Sequence, residues 1–425
     1  MYNHIYVFSC NKKGYIMNKY NTIFSPADIL LPKFTNDSDK MTKWAVIACD
    51  QFTSQPAYWQ ECKDLIGDAD STLNYILPEA YLETELEAPH AAVVYDSMKS
   101  FSEEAMTKIC GMIYVERTLP NGKVRHGLVG KIDLEAYNYE KGSTSPVRAT
   151  EATVIERIPP RRKIREEAKV ELPHILILIS DKNGIFAHLD SNKAKYQAAY
   201  DFDLMQGGGH IRGYHVSGDE LVSLMSIVEE FENSSGAVTY AMGDGNHSLA
   251  AAKAHWENVK KAGDMNHPAR YALCEIGMIE DEALEFEPIY RVVKNCDVAD
   301  FTAKLENVST TDASEGQCVT FITKDTKKTI RFTSPTHALT VGTLQDFIDA
   351  YVNVNSGVIC DYIHGEDVLE ALAKEDGCVG FTMNGMDKSE LIPYVEAHGT
   401  LPRKTFSMGE AESKRYYLEM RKITL

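Results

Sequence analysis

The residues best suited to chemistry lie together in one short glycine-rich turn. An apolar run at 237–242 predicts a strand before the turn, and the pattern at 249–256 predicts a helix after it. The first N–H groups of a helix have no partner within the helix and carry the positive end of its dipole, so an anion such as phosphate can bind there. The residues of this predicted anion-binding turn are Gly243, Asp244, Gly245, Asn246, His247 and Ser248.

Three side chains in or near this turn could take part in catalysis. Asp244 is predicted to bind Mg²⁺, because carboxylates are ligands for hard divalent cations. His247 lies where the helix dipole disfavours protonation, which predicts a neutral imidazole that donates to phosphate or binds a metal. Glu151 follows Arg148 and Thr150, a spacing that predicts a general base held by charge. A solvated glutamate in an edge strand is the alternative for Glu151.

A polyanionic ligand needs cations, and three segments could supply them. Residues 157–165 form a basic run in an otherwise acidic chain, and 206–215 form a second glycine-rich stretch. Guanidinium groups suit phosphate oxygens, and glycines allow the backbone to approach a ligand closely. The alternatives are the start of a solvated helix for the first segment and a plain surface loop for the second. The predicted phosphate-binding side chains are Arg148, Arg162, Arg165, Arg212 and His215.

Asp50 is a weaker candidate at the end of another predicted strand, residues 44–50. Ligands of open α/β sheets bind at the carboxyl ends of the strands, which makes this carboxylate a possible ligand-binding group. A capping role in the turn that follows is the favoured interpretation, because aspartate is common there.

The composition excludes several classes of partner. The chain has 425 residues, and its 62 acidic and 44 basic side chains give a net charge of −18. Such a surface repels nucleic acid and anionic membranes, so a small molecule is the expected partner. The nine cysteines lack a C-x-x-C spacing and indicate free thiols in a reducing cytoplasm. Residues 1–20 are expected to be a flexible extension without a signal sequence, and Met17 is a candidate true start.

The order of elements predicts a mixed α/β fold with two domains. The predicted boundaries are 21–295 for a domain that contains the anion-binding turn, and 296–425 for a smaller C-terminal α/β domain. Two β-rich runs around Asn121-Gly122 predict a hairpin in the first domain. Strands and helices alternate in the second domain, which predicts parallel neighbouring strands joined by right-handed crossovers.

These motifs together resemble the family catalogued as domain of unknown function 1015, from about residue 25 to the C-terminus. In that family a strand ends in Asp-Gly-His-His-Arg before a helix, and residues 244–248 occupy that place. Five further segments resemble the family in the same order: Arg125–Gly130, Thr150–Thr153, Pro288–Arg291, Asp361–Gly365 and Leu401–Phe406. The family is more distantly similar to the ParB and sulfiredoxin superfamily, which includes free-serine kinases. The resemblance implies a ParB/sulfiredoxin-like core.

Carried over by position, the resemblance implies a nucleotide-phosphate site at Asp244, Gly245 and His247, with Glu151 as the base. Two positions depart from the family pattern. Ser248 replaces the arginine that would bind phosphate, so another cation has to do so. Asn246 occupies the place of the sulfiredoxin cysteine, which excludes that redox chemistry.

The sequence therefore favours a nucleotide-dependent small-molecule kinase or phosphotransferase that uses ADP or ATP with Mg²⁺. The alternatives are a non-catalytic nucleotide- or metabolite-binding regulatory module, a ParB-like DNA-binding protein, and a metal-dependent hydrolase built on Asp244 and His247. The acidic charge argues against the DNA-binding alternative. The acceptor substrate and the oligomeric state are not indicated by the sequence.

Overall fold

The structure is a computed structural model that describes residues 21–152 and 164–425. The predicted extension 1–20 and most of the basic run, including Arg162, lie outside the described residues. Contacts divide the chain into two units. Unit 1 comprises 1–284, 395–399 and 410–425, and unit 2 comprises 285–394 and 400–409.

The elements alternate between helix and strand along most of the chain, and short 3₁₀ turns connect several of them. Up to residue 284 they are β1 (Phe24–Ser25), β2 (Ala27–Pro32), α1 (Ser38–Trp44), β3 (Val46–Ile47), α2 (Pro56–Ile66), α3 (Glu87–Ser100), β4 (Met106–Thr118), β5 (Val124–Asp133), β6 (Tyr137–Asn138), β7 (Val147–Arg148), β8 (Val170–Glu171), β9 (Leu176–Ile179), α4 (Ile185–Asn192), β10 (Gln197–Asp203), β11 (His210–Val216), α5 (Gly218–Ser234), β12 (Tyr240–Asp244), α6 (Asn246–Val259) and β13 (Tyr271–Met278). They continue as β14 (Phe286–Pro288), β15 (Tyr290–Lys294), α7 (Val298–Glu306), β16 (Gln317–Ile322), β17 (Lys327–Phe332), α8 (Thr340–Val354), β18 (Ile359–Ile363), α9 (Glu366–Ala373), β19 (Val379–Thr382), α10 (Leu391–His398), β20 (Phe406–Met408), β21 (Tyr416–Tyr417) and β22 (Arg421–Lys422). Among the described helices, none combines the length and the apolar character that crossing a bilayer requires.

Unit 1 is built on an 11-stranded mixed sheet with the main order β10-β11-β4-β5-β13-β9-β12-β7-β6. The hairpin predicted around Asn121-Gly122 is present, since β4 and β5 pair antiparallel and meet at Thr118 and Val124. Strand β9 lies between β13 and β12, and all four of its residues are buried. The expected mixed α/β fold class is confirmed.

Both faces of this sheet are covered, and side chains alternate between two separate cores. Along β4, Ile113 and Val115 belong to one core, whereas Met112 and Tyr114 belong to the other. Successive side chains of a strand point to opposite faces, so a central strand covered on both sides is apolar at nearly every position. This covering fixes the strand register and therefore the positions of the strand ends.

Helix α6, which follows the predicted anion-binding turn, packs on the sheet as expected. Leu249, Ala252 and Trp256 are 0% exposed and share one face of the helix. The indole Nε1 of Trp256 donates to Glu135 Oε1 at 2.6 Å. The packing of this face holds the first turn of α6 at the carboxyl end of β12.

Unit 2 contains a five-stranded sheet in the order β17-β16-β19-β15-β18. The prediction of parallel neighbours was wrong, because every pairing in this sheet is antiparallel. Strands β18 and β19 run in the same direction, yet β15 lies between them, and β15 and β16 are likewise separated by β19. The connections from β15 through α7 to β16 and from β18 through α9 to β19 therefore each pass over one strand position, which an antiparallel strand fills. This arrangement is known as a split βαβ unit.

The last residues of the chain, 410–425, belong to unit 1. Strand β21 pairs with β3, and β22 pairs with β8, both antiparallel. Buried ion pairs accompany these strands: Arg415 Nε lies 2.7 Å from Glu275 Oε2, and Arg421 Nε lies 2.6 Å from Glu171 Oε1. The boundary expected after residue 295 stays a prediction, but the contact units place residues 410–425 differently.

Candidate functional site

The turn between β12 and α6 requires glycine at position 245. Gly245 has a φ of 78°, in the left-handed region that residues with a Cβ rarely adopt. A Cβ at this position would also lie 3.1 Å from the Cα of Ile175. The Gly245 N–H donates to Asp244 Oδ1 at 2.8 Å, which orients the carboxylate. Backbone and side chain are thus fixed together where α6 begins.

Strand pairing brings His174 to Asp244. Strands β9 and β12 are antiparallel, and Asp244 pairs with Leu176, two residues after His174. The register is irregular between Met242 and Asp244, as in a β-bulge, which re-aims side chains at a strand end. The start of β9 and the end of β12 therefore form one corner of the sheet.

A third element brings Asp50 to the same corner. Asp50 follows β3, and the Ala48 N–H donates to Arg415 O in the segment that leads to β21. Asp50, His174 and Asp244 each present one ligand atom, and these atoms lie within 4.8 Å of one another. The side chain of His174 is 6% exposed and that of Asp50 32%, so the cluster is open to solvent on the carboxylate side.

The hydrogen bonds of His174 orient its imidazole ring. Its Nδ1 lies 2.7 Å from the Tyr417 hydroxyl, which is also within 3.1 Å of Cys49 Sγ. The other ring nitrogen, Nε2, lies 3.9 Å from Asp50 Oδ2. A hydrogen bond at one ring nitrogen that directs the other nitrogen at the site is typical of metal-ligating histidines.

The charges around Asp50 keep its carboxylate ionised. Burial alone would raise the pKa of Asp50, but His174, the hydrogen bond from Gln51 and the charge of Lys414 outweigh it and lower the pKa. Gln51 Nε2 donates to Asp50 Oδ1 at 3.0 Å, while the other oxygen faces the cluster. The second carboxylate, Asp244, is 20% exposed. Two carboxylates and one imidazole nitrogen can together hold a divalent cation.

Lys414 is the cation next to Asp244. Its Nζ lies 3.6 Å from Asp244 Oδ2, and its side chain is 13% exposed. Sequence reasoning missed both Lys414 and His174, because neither stands in a recognisable motif. It noticed Asp50 at a strand end but favoured a capping role, which stays a prediction, because the bond from Gln51 joins two side chains.

Glu151, the predicted base, follows a strand that runs beside β12. Strands β7 and β12 are parallel, and Arg148 pairs with Ala241. The Thr150 hydroxyl donates to Met242 O at 2.7 Å, so Glu151 follows at the end of β12 that carries Asp244. Arg148 is buried, and its Nε donates to Ser145 O at 2.9 Å. Arg148 thus donates to a backbone carbonyl. Its role as a phosphate ligand stays a prediction.

The other predicted cations that the structure describes, Arg165, Arg212 and His215, have partners elsewhere in the protein. Arg165 Nη2 lies 2.5 Å from Glu171 Oε2 in a mostly buried ion pair. Arg212 and His215 lie on β11, which β4, β5, β13 and β9 separate from β12. Arg212 Nη2 lies 2.6 Å from Asp201 Oδ2, and His215 Nε2 lies 3.1 Å from Cys110 O. Charge pairing across an edge hairpin explains Arg212 without a ligand.

The remaining predicted residues line the turn itself. Gly243 belongs to β12, and Asn246, His247 and Ser248 form the first turn of α6, all half-buried. The Asn246 side-chain oxygen is buried without a hydrogen-bond partner within the described residues. The structure therefore joins the predicted turn to Asp50, His174 and Lys414, three residues far apart in the chain.

Comparisons with known proteins give a family match and distant structural likenesses. The family model described as protein of unknown function (DUF1015) matches residues 31–351. Solved structures with similarity include SbnI from Staphylococcus aureus, with 10% identity, a TM-score of 0.38, and coverage of 70% of this chain and 87% of that one. A free serine kinase in complex with AMP has 12% identity, a TM-score of 0.39, and coverage of 72% and 95%. A conserved hypothetical protein from Pyrococcus furiosus has 12% identity, a TM-score of 0.35, and coverage of 69% and 98%. No curated protein matches the sequence. Identities and TM-scores this low do not establish a shared activity.

Proposed function

This chain belongs to the DUF1015 family of proteins of unknown function, and we propose that this member is a nucleotide-dependent phosphotransferase that requires a divalent cation. One observation carries the proposal: Asp50, His174 and Asp244 converge within 4.8 Å directly before the N-terminus of α6. Phosphoryl transfer needs mainly positioning and charge neutralisation, and a cation beside an anion-binding helix start supplies both.

The ligand set suits Mg²⁺ or Mn²⁺. The three ligand atoms lie within 4.8 Å of one another, and small rotations of the half-buried carboxylates would bring them close enough to hold one ion. Mg²⁺ is usually held by one or two carboxylates and keeps several waters. The imidazole of His174 makes Mn²⁺ an equally good probe, because nitrogen ligands favour transition metals over Mg²⁺.

The start of α6 would bind the phosphates of the nucleotide. The start of a helix suits phosphate oxygens, and the left-handed φ of Gly245 forms the turn at which α6 begins. His247, in the first turn of the helix, would donate a hydrogen bond to a phosphate oxygen. Asp50, His174 and Asp244 would hold the cation, which would supply neutralisation of the charge that develops during transfer.

Glu151 is proposed as the general base of the transfer. It would accept the proton of an acceptor hydroxyl while the oxygen of that hydroxyl forms a bond to phosphorus and the bond to the nucleotide breaks. The position of Glu151 after β7, which runs parallel to β12, supports this role. The acceptor is a small molecule with a hydroxyl group.

A second candidate is a nucleotide-binding module without catalysis. Ser248 stands where the family pattern has an arginine, and loss of a guanidinium weakens transition-state stabilisation more than simple binding. A DNA-binding function finds no support in a chain with a net charge of −18.

Isothermal titration calorimetry with ADP and ATP tests the proposal. We expect nucleotide binding that requires Mg²⁺ or Mn²⁺. D244N and D50N should lose this binding, because each substitution removes a cation ligand. D68N is the matched control, since Asp68 is an exposed aspartate outside the site. Absence of binding by both nucleotides at millimolar concentration would rule the proposal out.

Turnover separates the two candidates. We expect E151Q to keep nucleotide binding and to lose phosphoryl transfer to a hydroxyl acceptor, measured as nucleotide consumed over a panel of small hydroxyl compounds. If the wild-type protein binds nucleotide but consumes none with any acceptor, the non-catalytic module is the better description.

A further inference from the structure

Two buried arginines hold the backbone that carries Lys414. We call residues 412–415 the C-terminal strap. Arg117 Nη2 donates to Glu412 O at 3.0 Å and its Nη1 donates to Lys414 O at 3.4 Å. Arg125 Nη1 donates to Ser413 O at 2.9 Å. Three successive carbonyls of the strap are therefore fixed by charged donors from β4 and β5, which are stronger than neutral ones.

The strap is rigid because its anchors are inside the protein. Arg117 is 1% exposed, and burial lowers its pKa to about 9, so it stays protonated at neutral pH. The next residue, Arg415, is also buried and lies 2.7 Å from both Glu275 and Glu419. Arg117 and Arg125 donate to carbonyls of the strap, and Arg415 pairs with carboxylates. Their shared effect is to present the side chain of Lys414 at the Asp50–His174–Asp244 cluster.

The ammonium of Lys414 is poorly satisfied by the protein. At 3.6 Å from Asp244 Oδ2 it forms an ion pair that is too long for a hydrogen bond. It makes no hydrogen bond with any described residue, although an ammonium has three donors. The ammonium is not among the fully buried polar atoms without a partner, so its donors are open to a ligand that supplies oxygen acceptors.

We propose that Lys414 is the phosphate-binding cation of this site and that it exchanges partners when the metal binds. Without metal, its charge balances Asp244. A divalent cation on Asp244 places a like charge beside the ammonium, and the phosphate oxygens of the nucleotide then become its acceptors. Lys414 thus fills the role of the family arginine that Ser248 replaces. This inference rests on the proposed function.

The partner exchange predicts effects of opposite sign from a single substitution. Replacing Lys414 by a neutral residue removes a positive charge near the metal site, so metal affinity rises. The same substitution removes a charged donor to phosphate, so nucleotide affinity falls roughly tenfold to a hundredfold. A purely structural role would weaken both affinities or leave both unchanged.

Calorimetry on the full chain tests this with two probes, Mn²⁺ alone and ADP at saturating Mn²⁺. We expect K414Q to bind Mn²⁺ several-fold more tightly and ADP at least tenfold more weakly than the wild type, and K414R to restore ADP binding. K33Q is the matched control, because Lys33 is an exposed lysine outside the site. The thermal unfolding temperature of each variant reports whether the fold is kept.

The outcomes distinguish the inference from the function on which it rests. If the wild type binds Mn²⁺ and ADP but K414Q changes both affinities in the same direction, or neither, the partner exchange is wrong and the proposed function stands. If the wild type binds neither probe, the proposed function fails and the inference fails with it. If K414Q unfolds, K414R decides: normal ADP binding by K414R supports the inference, and its loss with the fold intact overturns it.

Discussion

At the scale of single residues, Gly245 shows how one backbone angle determines the turn at which α6 begins. Its left-handed φ and the closeness of Ile175 both exclude a side chain. Gly263 is a matched control, because its φ is 88° but no atom lies within 4 Å of the position of a Cβ.

We expect G245A to lower the free energy of unfolding by about 1–3 kcal/mol and to weaken ADP binding. G263A should have a smaller effect on stability, since it adds strain without a steric contact, and no effect on ADP. Urea unfolding and calorimetry measure the two quantities. Equal losses of stability in G245A and G263A would show that the contact with Ile175 is unimportant.

A second residue-scale prediction concerns pH and the pair formed by His126 and Asp281. Their Nδ1 and Oδ2 atoms are 3.0 Å apart, and this hydrogen bond raises the pKa of His126 although burial acts to lower it. A raised folded-state pKa gives stability that is fully present below about pH 6.5, the unfolded value, and is lost as pH rises through the folded pKa.

Urea unfolding of the wild type and H126Q from pH 5.5 to 8.5 checks this. The stability difference between the two should be largest at pH 5.5, where Asp281 is ionised, and should shrink as pH rises. A difference that stays constant over the range would mean that the charge of His126 does not contribute.

At the scale of elements, the site is a meeting of strand ends that sequence patterns describe only in part. The turn, the β4–β5 hairpin and the apolar face of α6 were predictable, because hydrophobic periodicity and glycine positions are local signals. The convergence of Asp50, His174 and Lys414 on Asp244 was not. It depends on β3 pairing with β21 and on β9 pairing with β12, and pairings between distant segments leave no local periodicity.

The predicted phosphate-binding side chains show the same limit of sequence patterns. Composition predicted that an acidic chain needs a local cation for phosphate, but Arg165 and Arg212 have carboxylate partners of their own. The partner of an arginine is set by tertiary structure and not by its neighbours in sequence. The prediction of parallel strands in unit 2 failed for a related reason, since alternation of helix and strand does not show which strand fills the gap between two others.

Two buried arginines of the C-terminal segment, Arg415 and Arg421, provide a prediction about the cost of removing a buried charge. Arg415 pairs with both Glu275 and Glu419, whereas Glu171 has two arginine partners, Arg165 and Arg421. Removing Arg415 leaves two buried carboxylates without their main partner, while removing Arg421 leaves Glu171 with Arg165.

We expect R415M to lower the free energy of unfolding by about 3–5 kcal/mol and R421M to lower it by less. Urea unfolding of both variants at neutral pH gives the comparison. A larger loss in R421M would contradict the view that the number of remaining partners determines the cost.

At the scale of the whole molecule, the chain leaves unit 1, forms unit 2 and returns to unit 1 for its last residues. The returning segment is part of a core, since Tyr416, Tyr417 and Met420 are at most 4% exposed. Stability of unit 1 therefore depends on residues that follow unit 2 in sequence.

Truncation after residue 409 should unfold unit 1, although every residue of unit 2 remains. Limited proteolysis with mass spectrometry checks this: we expect cleavage at sites throughout 21–284 in the truncated protein, and protection of the same sites in the full chain. Protection of residues 21–284 after truncation would show that β21 and β22 are dispensable for folding.

The return of the chain also sets a time at which the site can first exist during translation. Asp244 leaves the ribosome long before Lys414 and the Tyr417 that orients His174. At a synthesis rate of roughly 5–20 residues per second, the nascent chain waits about 9–35 s between these points. For that interval the carboxylates of Asp50 and Asp244 lack Lys414, Glu275 lacks Arg415, and β3 and β8 lack their partner strands.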